Sequence, residues 1–174
     1  PKLASEGRAP WQIQTSWNGD SAYRRAQSSI MAFTVNKAQP NLLLTLSHTS
    51  ALLNLSGVED FEITAAVTVA GFPPALQHLL AGRSVLLSIQ TPDGQTPWAP
   101  LEAVTDTGGV AHFDKAAFDA AGVVFDTSGV WRFRAEFAGD ENLKSAVTED
   151  FGSTTARLTI KEGAGYAIVV LGRL

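Results

Sequence analysis

Val130-Trp131-Arg132-Phe133-Arg134-Ala135-Glu136-Phe137 alternates between apolar and charged side chains from its tryptophan onward. Trp131, Phe133, Ala135 and Phe137 fall on one face and Arg132, Arg134 and Glu136 on the other. A period of two with this polarity predicts a β-strand with one side in a core and the other in water. The alternation stops at Ala138-Gly139-Asp140-Glu141-Asn142. There glycine relieves the φ restriction, and Asp or Asn can bond local backbone. A hairpin-like return is expected.

The same grammar appears near the start, in Pro10-Trp11-Gln12-Ile13-Gln14-Thr15-Ser16-Trp17-Asn18-Gly19-Asp20. Trp11 aligns with Trp131, Ile13 with Phe133, Trp17 with Phe137 and Gly19-Asp20 with Gly139-Asp140, all at an offset of 120 (131 − 11) that Ala26 and Ala146 also keep. Phe33-Thr34-Val35 then matches Leu158-Thr159-Ile160 at an offset of 125 (158 − 33), five residues having been inserted in the second copy. A strand-turn-strand unit is therefore written twice.

Between the copies the expected strands are Leu42–Ser47, Phe61–Ala70, Ser84–Gln90, Leu101–Thr105 and Gly109–Phe113. They are separated by turn chemistry at Ser56-Gly57, Gly71-Phe72-Pro73-Pro74, Pro92-Asp93-Gly94 and Thr107-Gly108-Gly109. Lys115–Gly122 and Pro74–Leu80 each suit one short helical turn. Short strands at this spacing are the pattern of a sandwich. If the second copy closes it, residues 39–162 form one complete domain, and residues 1–37 are the C-terminal hairpin of a preceding repeat. Asn36-Lys37-Ala38-Gln39-Pro40 is the linker, where proline fixes φ and disfavours helix before it.

Composition narrows the function classes. A chain of 174 residues with 45% hydrophobic residues can bury a substantial core. Its net charge of −4, with no basic run, argues against nucleic acid as a partner, because phosphates demand clustered Lys and Arg. No apolar run approaches the ~20 residues that a membrane helix needs, so no membrane insertion is expected. Cysteine is absent, which excludes disulfides, thiolate metal ligands and cysteine nucleophiles within the chain. The start at Pro1, with neither Met nor a signal-peptide pattern, points to a processed or partial product.

Two stretches carry a family resemblance: Thr105-Asp106-Thr107-Gly108-Gly109-Val110-Ala111-His112-Phe113 and Gly129 through Asp140. Together they resemble the tandem bacterial immunoglobulin-like repeats of large surface and secreted proteins. Such repeats show a Gly-Val-Ala strand followed by an aromatic strand that ends in a Gly-Asp turn. Gly82–Ile89 is similar to their middle strand. The resemblance implies an all-β fold, an immunoglobulin-like antiparallel β-sandwich, here preceded by a partial repeat and followed by an extra apolar strand. It also implies an extracellular or cell-surface location, with neighbouring repeats or copies of the chain as partners. Phe72–Ala81 and Lys115–Ser128 are longer than that pattern, and long loops at a sandwich end are where binding is grafted. From Gly163 to Leu174 alternation gives way to a continuous apolar run suited to a strand buried on both faces. This stretch resembles the first strand of legumain- or caspase-like cysteine peptidase domains. That likeness implies an enzyme whose catalytic pair would lie beyond this chain.

Candidate chemistry is sparse. There is no metal-binding histidine pair, phosphate loop or nucleophile elbow. His48, His78 and His112 stand alone in sequence and receive no role. Asp114, Asp119, Asp126, Asp140, Glu141, Glu149 and Asp150 invite a calcium reading, but their spacing matches no defined calcium loop, and turns and caps account for them better. Trp11, Trp17 and Trp131 sit on the apolar side of alternating strands and are expected in a core. Trp98, in Gln95-Thr96-Pro97-Trp98-Ala99-Pro100, is the exception: a possible ligand contact for a polysaccharide, or a plug for one end of the sandwich.

These readings predict a non-catalytic structural or adhesive module that needs no cofactor and no metal. Two alternatives remain open. One is a filament subunit assembled by inter-chain strand addition, with Tyr166, Ile168 and Val170 in the donated strand of residues 163–174. The other is an accessory region of a secreted cysteine peptidase.

Overall fold

Strand alternation organises the chain nearly throughout. The computed structural model describes residues 9–54, 57–58, 60–148, 151 and 156–163. Four short strands come first: β1 (Trp11–Ile13), β2 (Ser16–Trp17), β3 (Ala26–Gln27) and β4 (Met31–Phe33). β1 pairs with β4 and β2 with β3, both antiparallel, so the four strands are one interrupted hairpin.

The main body follows with β5 (Pro40–Leu46), β6 (Ser50–Asn54), β7 (Gly57–Val58) and β8 (Ile63–Val69). A 3-10 turn at Pro74–Leu80 leads into β9 (Ser84–Gln90), β10 (Leu101–Val104), β11 (Val110–Phe113) and helix α1 (Lys115–Ala120). The chain then closes with β12 (Gly129–Phe137), β13 (Ala146–Val147) and β14 (Arg157–Glu162). One sheet has the order β10-β9-β12-β14-β6-β7, with β13 beside β12; the other has the order β11-β8-β5.

Both sheets turn their apolar faces to a common core. Val85, Leu87 and Ile89 of β9 and Trp131, Phe133 and Ala135 of β12 meet Ile63, Ala65 and Val67 of β8 and Ala111 and Phe113 of β11. Buried residues alternate with more exposed ones along the centres of these strands, as period-two patterning requires. The one buried polar residue among those described, Thr105, has both hydroxyl roles filled. Its Oγ1 donates to the Leu80 carbonyl at 2.6 Å and accepts from the Arg83 amide at 2.8 Å.

The antiparallel sandwich expected from the alternation needs one correction, since β14 pairs with β6 in parallel, from Thr159↔Ser50 to Glu162↔Leu53. No strand was expected at Ser50–Asn54, because its Ala-Leu-Leu centre does not alternate. The chain reaches that position by switching sheets. After β5 the Ser47 amide donates to the Glu62 carbonyl, and the Thr159 amide takes the Thr49 carbonyl, which carries the backbone from the β8 side to the β14 edge.

The linker is held and does not hang free. The Ala38 amide donates to the Asn142 carbonyl and the Lys144 amide to the Ala38 carbonyl, each at 2.9 Å, a parallel bridge onto the turn after β12. Gln39 Nε2 adds a bond to the Ser145 carbonyl at 3.3 Å. Pro40 opens β5, a strand position where a missing N–H is tolerated.

Candidate functional site

The N-terminal hairpin and the closing strands β12–β14 share one backbone plan. Trp17↔Ala26 and Ser16↔Gln27 in the hairpin correspond to Phe137↔Ala146 and Glu136↔Val147 in the main body, each at the offset of 120. Trp11↔Phe33 corresponds to Trp131↔Leu158, which carries the five-residue insertion between the partners. The interruption between the paired segments is also the same. In the hairpin Ser28 donates its amide to the Thr15 carbonyl and accepts the Thr15 amide on Oγ. Thr148 does both for Ala135.

The two turns match atom for atom. Asp20 Oδ1 accepts the amides of Ala22 and Tyr23 at 2.8 and 2.9 Å. Asp140 Oδ1 accepts those of Asn142 and Leu143 at 2.7 and 2.8 Å. Each aspartate's own amide donates to the carbonyl three residues on. Both aspartates thus serve their own turns, which explains the Gly-Asp pair without a metal. Asp140 also holds Arg83 at 2.6 Å, tying its turn to the entry of β9.

Burial separates the two units. Trp131, Phe133, Phe137 and Leu143 are 1–6% exposed, whereas their equivalents Trp11, Ile13, Trp17 and Tyr23 are 46–68% exposed. The expectation that Trp11 and Trp17 lie in a core is therefore corrected: of the three tryptophans on alternating strands, only Trp131 is buried. Trp17 packs instead against Tyr23, with ring centroids 6.2 Å apart and the rings tilted by 52°, as Phe137 packs with Leu143. With Met31 and Phe33, also exposed, these residues form an apolar face on the hairpin. Soluble proteins rarely leave such a patch large and uncovered.

At the far end of the main body, Trp98 lies half-buried with its ring stacked on Trp131 (centroids 6.0 Å, 27°), and its Nε1 donates to the Gly122 carbonyl at 3.0 Å. Phe125 meets Trp131 edge-on at 4.8 Å, and Phe61 stacks with Phe118 at 5.4 Å. The long segment after β11 folds over this end: α1, capped by Asp114 Oδ1 on the Ala117 amide, buries Phe118, and the return buries Val123. Asp119 pairs with Lys115 at 2.8 Å, raising the lysine's pKa, and Asp126 takes the Thr127 hydroxyl. Glu149 and Asp150, like Tyr166, Ile168 and Val170, lie outside the described residues. Among the described residues no group of three His or acidic side chains is placed to hold a metal.

His112 is less solitary than the sequence implied. On the outer face of β11 its Nδ1 lies 2.6 Å from Glu62 Oε1 and its Nε2 lies 3.6 Å from Asp106 Oδ2. The Glu62 hydrogen bond, with Asp106 behind it, holds the imidazole pKa above its usual value. Asp106 is itself held below the usual carboxylate range by the Val110 and Gly108 amides. This cluster escaped the sequence because the β8–β11 register, in which His112 faces Thr64, is what brings residues fifty positions apart together. His78 bonds the Ala75 carbonyl and His48 the Ser47 hydroxyl, both local contacts.

Neither protein-family models nor curated proteins give a match to this chain. Among the described residues no helix is long and apolar enough to cross a membrane.

Proposed function

We propose that residues 39–162 are a non-catalytic, immunoglobulin-like structural module of a larger surface or secreted protein, and that residues 1–37 contain the closing strands of a neighbouring module. One observation carries this reading: the same strand-turn-strand geometry, down to the aspartate-capped turn, occurs once inside a filled sandwich and once just ahead of it. The bridge from Ala38 to the turn at Asn142 and Lys144 adds support, because it joins linker to module through backbone bonds and so limits how far a neighbour can swing.

A spacer has to carry load between its ends, and the topology suits this. β5, the module's first strand, is paired with β8 along its whole length, and β6, the next, runs parallel to the last strand, β14. Tension entering at residue 39 meets the β5–β8 ladder first, and once it reaches β6 it pulls β6 and β14 in opposite directions along their length. Their ladder bonds are then sheared together instead of being opened one by one.

Single-molecule stretching tests the proposal. The chain has no cysteine of its own, so handles can be placed freely. Pulled from its two ends, the module is expected to unfold in one event at a force severalfold higher than when pulled through cysteines at Ser84 and Val104. Those residues face each other at the open end of the antiparallel β9–β10 pair, which unzips. Equal or lower force from the ends would count against a load-bearing spacer. Labelling of intact source cells with a membrane-impermeant amine reagent tests the location, since modification of the module's lysines requires that it face outward.

A further inference from the structure

We infer that the apolar face of β1–β4 is a docking surface for an incomplete sandwich of this module's own plan: strands equivalent to β5–β11, reaching the hairpin from its N-terminal side and closed by it. The inference rests on the tandem-module reading and adds to it the identity, register and direction of what covers the hairpin.

The main body displays the occupant. There β12 is flanked by β9, with Arg134↔Ser88 and Glu136↔Leu86 among the pairs, and its apolar side is covered by β8 and β11. In the hairpin, Thr15 turns both its amide and its carbonyl toward Ser28. Successive residues of a strand alternate their backbone groups between edges, so Gln14 and Ser16 present theirs on the opposite side. That is the edge where Arg134 and Glu136 meet β9. The occupant therefore brings a Val/Leu/Ile strand like Val85–Ile89 antiparallel to Gln12–Ser16. Similarly, β14 takes β6 in parallel along Thr159–Glu162, and the stretch at the matching offset is Thr34–Lys37. A second incoming strand runs parallel to it.

A second intact copy of the chain does not fit this edge. Its β9 is already paired on both sides, with β10 and β12, and its core face is filled by its own closing strands. The hairpin needs a sandwich with those positions open. An isolated two-stranded hairpin is at best marginally stable in water, so covering the face also stabilises the strands that form it.

The test joins a second copy of residues 40–120 directly to Pro1 of the full chain, which restores the spacing because Pro1 stands 120 positions before Ala121. Amide exchange is followed at Gln14 and Ser16, with Arg134 and Glu136 as internal references, in the chain alone and in the extended chain. Docking predicts that exchange at Gln14 and Ser16 slows by about a hundredfold or more, toward that of a closed ladder, only in the extended chain. Calorimetry of the extended chain is then expected to show two folded units. Unchanged exchange overturns the inference, as does an added copy that stays unfolded beside its folded twin, because the hairpin has then failed to replace β12–β14. Concentration-dependent dimerisation of the chain alone, with Gln14 and Ser16 protected, assigns the surface to a second copy and overturns it too. None of these outcomes alters the response of residues 39–162 to end-to-end force, so the two proposals fail separately.

Discussion

Gly19 and Gly139 occupy the same place in two turns: each has left-handed backbone, and a Cβ added to either would meet the amide nitrogen six residues on, Arg25 at 2.6 Å and Ser145 at 2.7 Å. Such a glycine is required twice over, by its φ of +78° or +85° and by the close approach of backbone that cannot move aside cheaply. The consequences of replacing them differ. Gly139→Ala is expected to destabilise the module by about 2 kcal/mol or more, read as a lowered melting midpoint, because its turn holds Ala38, Arg83 and Leu143. Gly19→Ala is expected to leave that midpoint within about 0.5 kcal/mol while disturbing the amide resonances of residues 19–25. Equal effects would show that the hairpin contributes to the module's own stability.

Thr105 is the described buried side chain with the most to lose from an isosteric change. Thr105→Val removes the donor to the Leu80 carbonyl and the acceptor for the Arg83 amide together. Two backbone groups at the end of the 3-10 turn are then left unpaired, at about 1–3 kcal/mol each. Urea denaturation should show a lowered midpoint with an unchanged slope. A neutral result would mean that water replaces the hydroxyl.

Trp98 separates a structural role from a ligand role. Trp98→Ala removes the stack on Trp131 and the bond to the Gly122 carbonyl, and is expected to cost about 2–4 kcal/mol. Trp98→Phe keeps a ring and loses only the bond, at about 1 kcal/mol. A polysaccharide contact would instead appear as glycan retention that Trp98→Ala abolishes while the melting temperature holds.

His112 gives the module a pH dependence of definite sign. Its pKa in the fold lies above the usual value of 6.5, first because of the hydrogen bond to Glu62 and then because of Asp106. The protonated form is therefore favoured in the fold. The resulting stability is fully present below about pH 6.5 and is lost as pH rises through the raised folded value. Compared with His112→Gln, the native chain should gain in melting temperature at about pH 5.5, and the gain should fall away as pH rises through the raised folded value. A gain that grows with pH would contradict the Glu62 pairing, whereas titration of the His112 ring resonances would report the raised pKa directly.

Features controlled by short-range chemistry are legible along the chain. Alternation in Trp131–Phe137 set a one-sided strand, and Ser84–Gln90 emerged with the expected bounds. Gly-Asp pairs set two identical turns, and the offset of 120 anticipated their shared registers. These depend on residues within a few positions of each other, so they can be read along the chain. Which edges and side chains meet is a property of the folded arrangement: β14 with β6 in parallel, His112 with Glu62, and Trp98 against Trp131. That arrangement also buries Trp131 while Trp11, with the same local pattern, lies half-exposed. Alternation states which face of a strand is apolar. Burial needs a second apolar face to cover it, and the main body supplies one from β8 and β11 in strands remote along the chain.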